Sequence, residues 1–379
     1  MGFVAIKLLY RLCQRVQKIV QRRWAMSSWR ECKLGDVAKL SKKSWKVGDE
    51  LMPYIGLEHI EEAKLRLNGI GKSNDVSSNK FRFQAGDTLF GKLRPYFRKV
   101  VKPNFDGICS TDIWVINPQK DIDKDFIFYF FANKELVDIS YSASGGTRMP
   151  RADWDFLAQT VWNIPPLEEQ KAIAEVLSSL DDKIDLLHRQ NQTLESLAQT
   201  LFRQWFIEEV KEEWEEKPLS KIADFLNGLA CQKFPPQNHI DKLPVLKIKD
   251  LKDGISENSD YATSDVKPEY IVNNGDVIFA WSASLMVKIW DGEQCVLNQH
   301  LFKVTSKDFP KWFYYHWCKY HLDNFIAISS AHATTMGHIK RGDLDEAMCV
   351  IPSSEELVKM DDEISPIFEK IETSSRQIK

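Results

Sequence analysis

The sequence predicts an α+β protein in which one unit, a mixed α/β globule followed by a long helix, occurs twice in tandem. The first observation is that residues 165–191 and 352–378 share one pattern, a proline, a pair of glutamates and a long helical repeat, at a spacing of 187 residues. The second is that motifs of the globules recur at almost the same spacing. The third is that the apolar residues of the helical segments follow the 4-3 spacing of a coiled coil. A period this long indicates a duplicated domain, because solenoid repeats run to about 20–50 residues.

The first 25 residues form an apolar and basic extension, with six basic and no acidic residues. Such a segment could be an amphipathic helix on a membrane or on DNA, and it lacks the small-residue cleavage site of a secretory signal. We favour a third interpretation, in which Met26 is the natural start, because Trp29 opens the first copy of the repeat. The predicted divisions are the extension 1–25, the first globule 26–166, the central helix 167–210, the second globule 211–352 and the C-terminal helix 353–379.

The two globules carry the same landmarks. Trp29–Leu34 recurs as Trp214–Leu219, and Gly86–Phe90 recurs as Gly275–Phe279. The spacing drifts by a few residues between landmarks, which indicates loop insertions in two diverged copies. Aromatic residues and short strand-like runs with Gly-Asp breaks predict a mixed α/β globule with a twisted sheet.

The central helix follows Pro165-Pro166, where proline is tolerated at the first helical position, and is predicted to run to about Phe206. Forty residues at about 1.5 Å each make a rod of roughly 60 Å. Asn191 lies on its apolar stripe. It is either a polar residue that fixes the register of two helices or a solvated position near a splayed helix end.

The C-terminal helix begins with a capping box, Ser353-x-x-Glu356, and Pro366 is expected to kink or break it near residue 365. The two stripes are predicted to pack on each other as antiparallel helices that hold the globules at a fixed distance. The predicted residues of this inter-helix seam are Ile173, Leu177, Leu180, Ile184, Leu187, Ile364, Ile367 and Ile371.

Charge and cysteine content narrow the class of protein. The net charge is −3, but the segment 167–217 carries 13 acidic and six basic residues, so the globules are near neutral and can hold a basic groove. Seven cysteines without a C-x-x-C pair argue against a disulfide framework and against a zinc site, and favour reduced thiols in the cytoplasm. The sequence has no stretch of about 18 uncharged apolar residues, so no membrane span is expected.

Enzyme signatures fail when their positions are checked. Gly71-Lys72-Ser73 resembles the end of a phosphate-binding P-loop, but Arg66 stands where the pattern requires glycine. A dinucleotide-binding glycine motif after a strand, an H-E-x-x-H pair and a nucleophile elbow are all missing from the sequence. His316 and His321 lie in an aromatic-rich helical stretch and are expected to be packed, not to bind a metal. We therefore predict a binding protein without catalytic residues or metal ligands.

Two kinds of loop could bind nucleic acid. Gly91–Lys99 holds four cations and a tyrosine after a strand-like run, which suits phosphate contacts and arginine contacts to guanine. The alternative is a solvated hairpin edge, where basic residues discourage strand pairing. Ser142–Arg151 combines hydroxyl residues, glycines and arginines, which lets a phosphate approach the backbone. Its counterpart, Ala333–Arg341, lies at the same place in the second copy.

The order globule, helix, globule, helix, with Pro165-Pro166-Leu167-x-x-Gln170 opening the central helix, resembles the specificity subunit of a type I restriction–modification system. The resemblance covers about residues 26–379. Trp29–Asp36 resembles the opening of a target recognition domain. Phe90–Tyr96, with Ser110–Ile113, resembles one subtype of such a domain.

The second globule resembles a different subtype through Leu297–Phe302 and Thr334–Ile339, so the two halves are expected to recognise different sequences. There are departures from the pattern. Ala283 and Met286 stand where glycines are expected, and Leu357 replaces the glutamine that Gln170 would predict.

The resemblance implies a non-catalytic subunit that recognises a bipartite, asymmetric site in double-stranded DNA. It also implies two modification subunits that carry S-adenosylmethionine and methylate adenine, and restriction subunits that use ATP and Mg²⁺, while this chain binds no cofactor. A scaffold protein with duplicated protein-binding domains, or an enzyme with an unrecognised motif, are the alternatives. From charge and loop position, the predicted DNA contacts are Lys92, Arg94, Tyr96, Arg98, Lys99, Arg148, Arg151, Trp281, Ser282, Ser284, Lys288, Thr335, His338, Lys340 and Arg341.

Overall fold

The computed structural model describes residues 29–142, 149–238, 240–256, 258–331 and 337–378. The chain forms two compact units, unit 1 (Met1–Asp182) and unit 2 (Lys183–Lys379), and the division lies inside the central helix. Within the described ranges, no helix combines the length and hydrophobicity that a membrane crossing requires. The cysteines in these ranges are free thiols, and all but the half-buried Cys32 are buried.

Unit 1 is a mixed α/β globule followed by the first part of the central helix. Its strands are β1 (Arg30–Lys33), β2 (Ala38–Leu40), β3 (Ser44–Trp45), β4 (Pro53–Ile55), β5 (Gly71–Lys72), β6 (Lys80–Phe83), β7 (Thr88–Gly91), β8 (Val100–Val101), β9 (Gly107–Cys109), β10 (Ile113–Pro118) and β11 (Val161–Ile164). Its helices are α1 (Leu34–Val37), α2 (Lys124–Ala132), α3 (Lys134–Ser142), α4 (Trp154–Leu157) and the start of α5 (Leu167–Arg203).

Unit 2 holds the rest of α5, which passes through a π-helical turn at Gln204–Glu208. Its strands are β12 (Glu215–Pro218), β13 (Asp224–Asn227), β14 (Lys242–Leu246), β15 (Tyr261–Thr263), β16 (Ile271–Val272), β17 (Val277–Ala280), β18 (Met286–Ile289), β19 (Cys295–Leu297), β20 (Leu301–Thr305) and β21 (Met348–Ile351). Its helices are α6 (Leu219–Ile222), α7 (Ile248–Asp253), α8 (Lys311–Tyr320), α9 (Leu322–Ala331), α10 (Arg341–Glu346) and α11 (Ser354–Ile378).

The sheets confirm the predicted duplication. The four-stranded sheet β2-β10-β7-β8 of unit 1 has the same order as β13-β20-β17-β18 of unit 2, and the pair β1-β11 matches β12-β21. Each unit also has a second sheet, β3-β6-β9-β4-β5 in unit 1 and β15-β14-β19-β16 in unit 2. In each second sheet one pair is parallel, β4 with β9 and β14 with β19.

Each globule is bonded to the start of its own long helix by the same contact. In unit 1 the indole Nε1 of Trp29 donates to Glu169 Oε2 at 2.8 Å. In unit 2 the indole Nε1 of Trp214 donates to Glu356 Oε2 at 2.9 Å. Glu356 also completes the predicted capping box, because it accepts from the backbone N–H and the hydroxyl of Ser353. The tryptophan and the first acidic pair of the sequence repeat thus fix the direction in which each helix leaves its globule.

In unit 2 the two long helices pack antiparallel. Asn191 of α5 donates to Ser375 Oγ near the end of α11 at 3.1 Å, whereas Trp214, beyond the end of α5, contacts the start of α11. Asn191 is 9 % exposed, so it is not the solvated position of the alternative interpretation. A buried Asn–Ser bond between facing helices fixes their register.

The predicted seam residues lie in different surroundings. Leu187 and Ile364 are buried, but Leu180 stays 56 % exposed, and Ile173 packs against the core of the unit 1 globule. Ile367 likewise packs against the core of unit 2. The 4-3 stripe therefore serves the neighbouring globule as well as the other helix. Leu177, Ile184 and Ile371 are half-buried.

The expected break at Pro366 does not occur, because α11 is one continuous helix. Proline removes the hydrogen bond to the carbonyl of residue 362. Pro366 and Asp362 are both exposed, so water can satisfy that carbonyl.

Candidate nucleic-acid interface

In unit 1, three backbone segments meet where β7 ends and β10 begins: 91–94, 110–112 and 150–152. The amide of Lys92 donates to the carbonyl of Asp112 at 2.9 Å, and the amide of Ala152 donates to the carbonyl of Lys92 at 2.8 Å. The amide of Arg94 donates to the carbonyl of Pro150 at 2.7 Å. These bonds fix the segments as one surface, which we call the unit 1 platform.

Unit 2 has the same arrangement where β17 ends and β20 begins, formed by segments 280–283, 298–300 and 337–339. Trp281 N–H donates to His300 O at 3.4 Å, and Ile339 N–H donates to Trp281 O at 3.1 Å. Ala283 N–H donates to Gly337 O at 2.9 Å. We call this surface the unit 2 platform. Its three backbone bonds repeat those of the unit 1 platform one for one.

The platforms share an unusual backbone conformation. Arg94 has φ +51° and Ala283 has φ +58°, the left-handed region that residues with a Cβ rarely adopt. This explains why glycine is expected at residue 283. The platform bond of each residue holds the strained conformation in place.

On the unit 1 platform the side chains are mainly charged. Arg151 Nε donates to Asp112 Oδ1 at 3.2 Å, and both side chains are partly accessible to solvent. Lys92 is half-buried. Tyr96 is 44 % exposed and packs edge-on against Tyr141, with ring centroids 5.3 Å apart. The surface therefore offers cations, a carboxylate and a phenol to a ligand.

On the unit 2 platform the side chains are aromatic and polar. Trp281 stacks on Phe302 with centroids 5.6 Å apart, and its indole Nε1 donates to Asn227 Oδ1 at 3.0 Å. Ser282 Oγ lies 3.1 Å from His300 Nδ1, and Gln299 Nε2 lies 3.4 Å from His300 Nε2. These contacts orient the imidazole from both ring nitrogens.

Comparison with known proteins agrees with the duplicated architecture. The chain matches the family described as the type I restriction modification DNA specificity domain twice, over residues 26–196 and 211–379. The chain belongs to this family. It is 27 % identical over 288 residues to the specificity subunit of the type I restriction enzyme MjaIX from Methanocaldococcus jannaschii, covering 69 % of this chain and 66 % of that protein. It is 30 % identical over 193 residues to the HindI specificity subunit from Haemophilus influenzae, covering 48 % and 42 %.

These matches span less than two thirds of each curated relative's own length. Among solved structures, the S subunit of a type I restriction–modification system from M. genitalium aligns with a TM-score of 0.51 at 12 % identity. The alignment covers 92 % of this chain and 96 % of that one. At this identity the likeness concerns the fold.

Within the specificity domains, two predicted DNA contacts have structural partners instead. Arg98 donates from its guanidinium to the carbonyl of Ala132, at the end of α2, at 3.0 Å. Lys99 Nζ donates to the carbonyl of Leu57 at 2.8 Å. Both charged groups donate to backbone carbonyls of unit 1, and their assignment as DNA contacts stays a prediction.

In the second specificity domain, Lys288 also lies apart from the platform. Its Nζ donates to the carbonyl of Leu251 at 3.4 Å and pairs with Asp291 at 3.3 Å. Lys288 pairs with Ile278 in the β17–β18 hairpin. It lies two residues further from the hairpin turn than Met286, the first residue of β18. The prediction placed Lys288 among the DNA contacts from its charge and loop position.

The remaining predicted residues of unit 2 lie on or beside the platform. Ser284 and His338 are exposed, and Ser282 forms a β-bridge with His338. Lys340 and Arg341 are exposed at the start of α10. Arg148 and Thr335 lie outside the described residues.

Sequence reasoning missed three platform residues of the specificity domains, Asp112, Gln299 and His300, and it missed Asn227, which binds the indole of Trp281. Asp112 and the Asn298-Gln299-His300 run carried the family resemblance without being assigned a contact. Both lie between equivalent pairs of strands, β9 and β10 in unit 1 and β19 and β20 in unit 2. This repeated position was the signal in the sequence that could have identified them. Among the described residues, the structure has no group of three or more His, Cys, Asp or Glu side chains that could hold a metal ion.

Proposed function

We propose that this chain is a non-catalytic DNA-recognition subunit of a type I restriction–modification system. In this proposal each unit recognises one half of a bipartite, asymmetric site. The observation that carries the proposal is the pair of platforms, in which one backbone frame presents different side chains. A shared frame would place both units on DNA in the same way, while the different donors and acceptors would select different base edges.

The side chains suit different contacts. Arginine and lysine bind the O6 and N7 acceptors of guanine, which makes Arg94, Lys92 and Arg151 the candidates for base contacts in unit 1. The carboxylate of Asp112 orients Arg151 and could accept from cytosine N4. In unit 2, Gln299 and His300 present amide and imidazole groups that can contact adenine or guanine edges.

The long helix α5 would set the unread gap between the half-sites. Its 37 residues span about 55 Å at 1.5 Å each, which corresponds to under two turns of DNA at roughly 34 Å each. Modification subunits carrying S-adenosylmethionine would methylate adenine, and restriction subunits would use ATP and Mg²⁺. The names of the curated relatives, which are specificity subunits of restriction enzymes, support this assembly.

The test is to map methylated bases in a host that expresses this chain with its modification subunit, each alone, and neither. A bipartite adenine-methylated motif that needs both proteins is the expected result. Methylation that needs this chain alone would make it an enzyme. The absence of any motif with an active partner would favour the scaffold alternative.

A second experiment tests the helices as a spacer. Removing one heptad from both α5 and α11 keeps their apolar stripes in phase. We expect the methylated motif to keep both half-sites and to change the length of its gap. An unchanged gap would contradict the spacer role.

A further inference from the structure

Three lysines on the surface of unit 1 have no role in the proposal above. Lys42, Lys43 and Lys46 lie in and around the connection between β2 and β3, and all three are exposed. We call these residues the lysine strip. Exposed lysines are ordinary, so position and surroundings decide whether the strip has a function.

The strip lies next to the unit 1 platform. Leu40 pairs with Ile116 in antiparallel register, and the amide of Ser41 donates to the carbonyl of Val115 at 2.8 Å. Lys42 and Lys43 follow this bond, and Val115 is three residues from Asp112 of the platform. The carbonyl of Lys43 then accepts from the amide of Arg82 in β6 at 2.8 Å, so the connection crosses here to the second sheet. The strip therefore borders the surface that is proposed to face DNA.

The chain then enters β3, where Trp45 pairs with Lys80 of β6. The next residue of β6, Phe81, pairs with Cys109, which directly precedes platform residue 110. Lys46 thus lies on the second sheet, beyond Trp45 in the direction that leads from Cys109 to residue 110, and two strands away from β9. The strip follows the platform across both sheets.

Nearby carboxylates do not neutralise the strip. Arg82 pairs with Asp49 at 2.9 Å and with both carboxylate oxygens of Glu50, one of them at 3.0 Å. The bond from Arg82 lowers the pKa of Glu50 to about 2. The pKa of Asp49 is lowered mainly by the hydrogen bond from the backbone N–H of Lys46 and, to a smaller extent, by the bond from Arg82. Both acids stay ionised and bound to Arg82. Among the described residues, no ion pair or side-chain hydrogen bond is formed by the three lysine ammonium groups.

The equivalent positions of unit 2, all of them described, carry no lysine or arginine. At a spacing of 185 residues the equivalent positions are Asn227, Gly228 and Cys231. Asn227 binds the indole of Trp281, and Cys231 is 5 % exposed. A Cβ at Gly228 would lie 2.3 Å from the carbonyl oxygen of Asn298, so no longer side chain fits there. The difference between the units is built into the backbone packing as well as the side chains.

We propose that the lysine strip binds the phosphate backbone of the DNA whose bases face the unit 1 platform, so that unit 1 gains sequence-independent electrostatic affinity from positions that carry no basic side chain in unit 2. This inference rests on the proposed function. Phosphate contacts position a protein on DNA without selecting a sequence. Each contact releases counterions from the DNA, and the free energy gained by this release falls as the salt concentration rises. Strip and platform would then act on the same half-site, one for affinity and one for sequence.

The test uses the full chain in complex with its modification subunits and a duplex that contains the methylated motif. The strip variant carries K42Q, K43Q and K46Q. The control variant carries K72Q, K120Q and K134Q, which removes the same charge from three exposed lysines of unit 1. Lys72 lies opposite Pro53 on the edge strand β5, and Lys120 follows the far end of β10. The dissociation constant is measured between 50 and 200 mM KCl, with thermal unfolding of each variant as a check of folding.

If each lysine neutralises one phosphate, the slope of log Kd against log salt becomes shallower by up to about 2.7 in the strip variant, at roughly 0.9 per contact. The control variant should keep the wild-type slope, and the methylated motif should be unchanged in both. Equal slopes in the strip and control variants would overturn the inference, and so would a changed half-site sequence. A wild-type complex without site-selective binding would instead contradict the proposed function.

Discussion

The two platforms are held by the same three backbone hydrogen bonds, yet their side chains have little in common. Unit 1 places Arg151 and Asp112 on its platform, while unit 2 places His338 and His300 at the equivalent positions. Backbone bonds survive most substitutions because they do not depend on side-chain identity. The comparison teaches that a duplicated domain can change the side chains that it presents without changing how its loops are held.

The units also differ in how far they depend on the long helices. The core of unit 1 includes Ala174, with Ile173 packed against it, from the start of α5. The core of unit 2 includes side chains from the last part of α5, from the turn that follows it, and from α11. These side chains are Ala198, Phe202, Phe206, Ile364 and Phe368. The core of unit 1 thus takes one small side chain from its long helix, whereas the core of unit 2 takes several large ones from the helices and the turn.

The largest expected effect tests this second difference. Phe206 is 1 % exposed and packs against Trp214, Phe313 and Trp317 with ring centroids 5.4 to 5.9 Å apart. Phe206→Ala should lower the free energy of unfolding of unit 2 by about 3–5 kcal/mol, because it leaves a cavity among rigid rings. Hydrogen exchange resolved by peptide measures the loss separately in the strands of each unit.

The matched control is Leu197→Ala on the same helix. Leu197 is 47 % exposed, so this change should stay within about 0.5 kcal/mol. An equal loss of protection in the strands of unit 1 after Phe206→Ala would contradict the idea that the helix end belongs to the core of unit 2.

A smaller effect is expected from reciprocal changes on the platforms. Arg151→Ala should relax the half-site of unit 1, and His300→Ala should relax the half-site of unit 2. Each should cost about 1–3 kcal/mol of discrimination at the base pair concerned. Sequencing of methylated sites measures both in one experiment. Each variant serves as the control of the other, and relaxation of the same half-site by both would refute the assignment of one platform to one half-site.

The duplication, the helix starts and the capping box could be predicted because each is encoded locally. Pro165-Pro166 and Ser353-x-x-Glu356 mark the helix starts without reference to the rest of the molecule. The predicted end of the central helix, near Phe206, lies within a few residues of Arg203, where α5 ends.

The features that the sequence could not predict depend on tertiary contacts. The stripe that includes Leu180 has the right spacing, but spacing does not say whether a globule, a helix or water covers each position. Arg98 looked available for DNA in the sequence, but the carbonyl of Ala132 at the end of α2 binds it. Likewise, His300 became a platform residue only because the fold brings its carbonyl to the amide of Trp281 and its Nδ1 to Ser282.

The smallest expected effect is a difference in acid sensitivity between the units, which depends on His316 in the core of unit 2. His316 is 3 % exposed, and its ring lies 5.2 Å from that of Phe202 and 5.6 Å from that of Phe368. Its Nε2 has no hydrogen-bond partner among the described residues. Burial, followed by the nearby charge of Lys319, lowers the pKa of His316 to about 3.

Because the folded pKa lies below the ordinary value of about 6.5, the unfolded state binds this proton first. The cost to stability is absent above pH 6.5 and grows as the pH falls towards 3. His316→Phe should therefore flatten the pH dependence of unfolding of unit 2 in this window, without changing unit 1. The decisive measurement is the stability of unit 2, monitored by hydrogen exchange between pH 6.5 and 5. The bond with Lys211 lowers the pKa of Glu356 to about 2, so Glu356 stays ionised in this range and does not contribute to the slope. Some dependence should remain from His321, whose pKa is also lowered by burial. An unchanged slope in His316→Phe would mean that the imidazole gains a proton without unfolding the core, and that the two units do not differ in this respect.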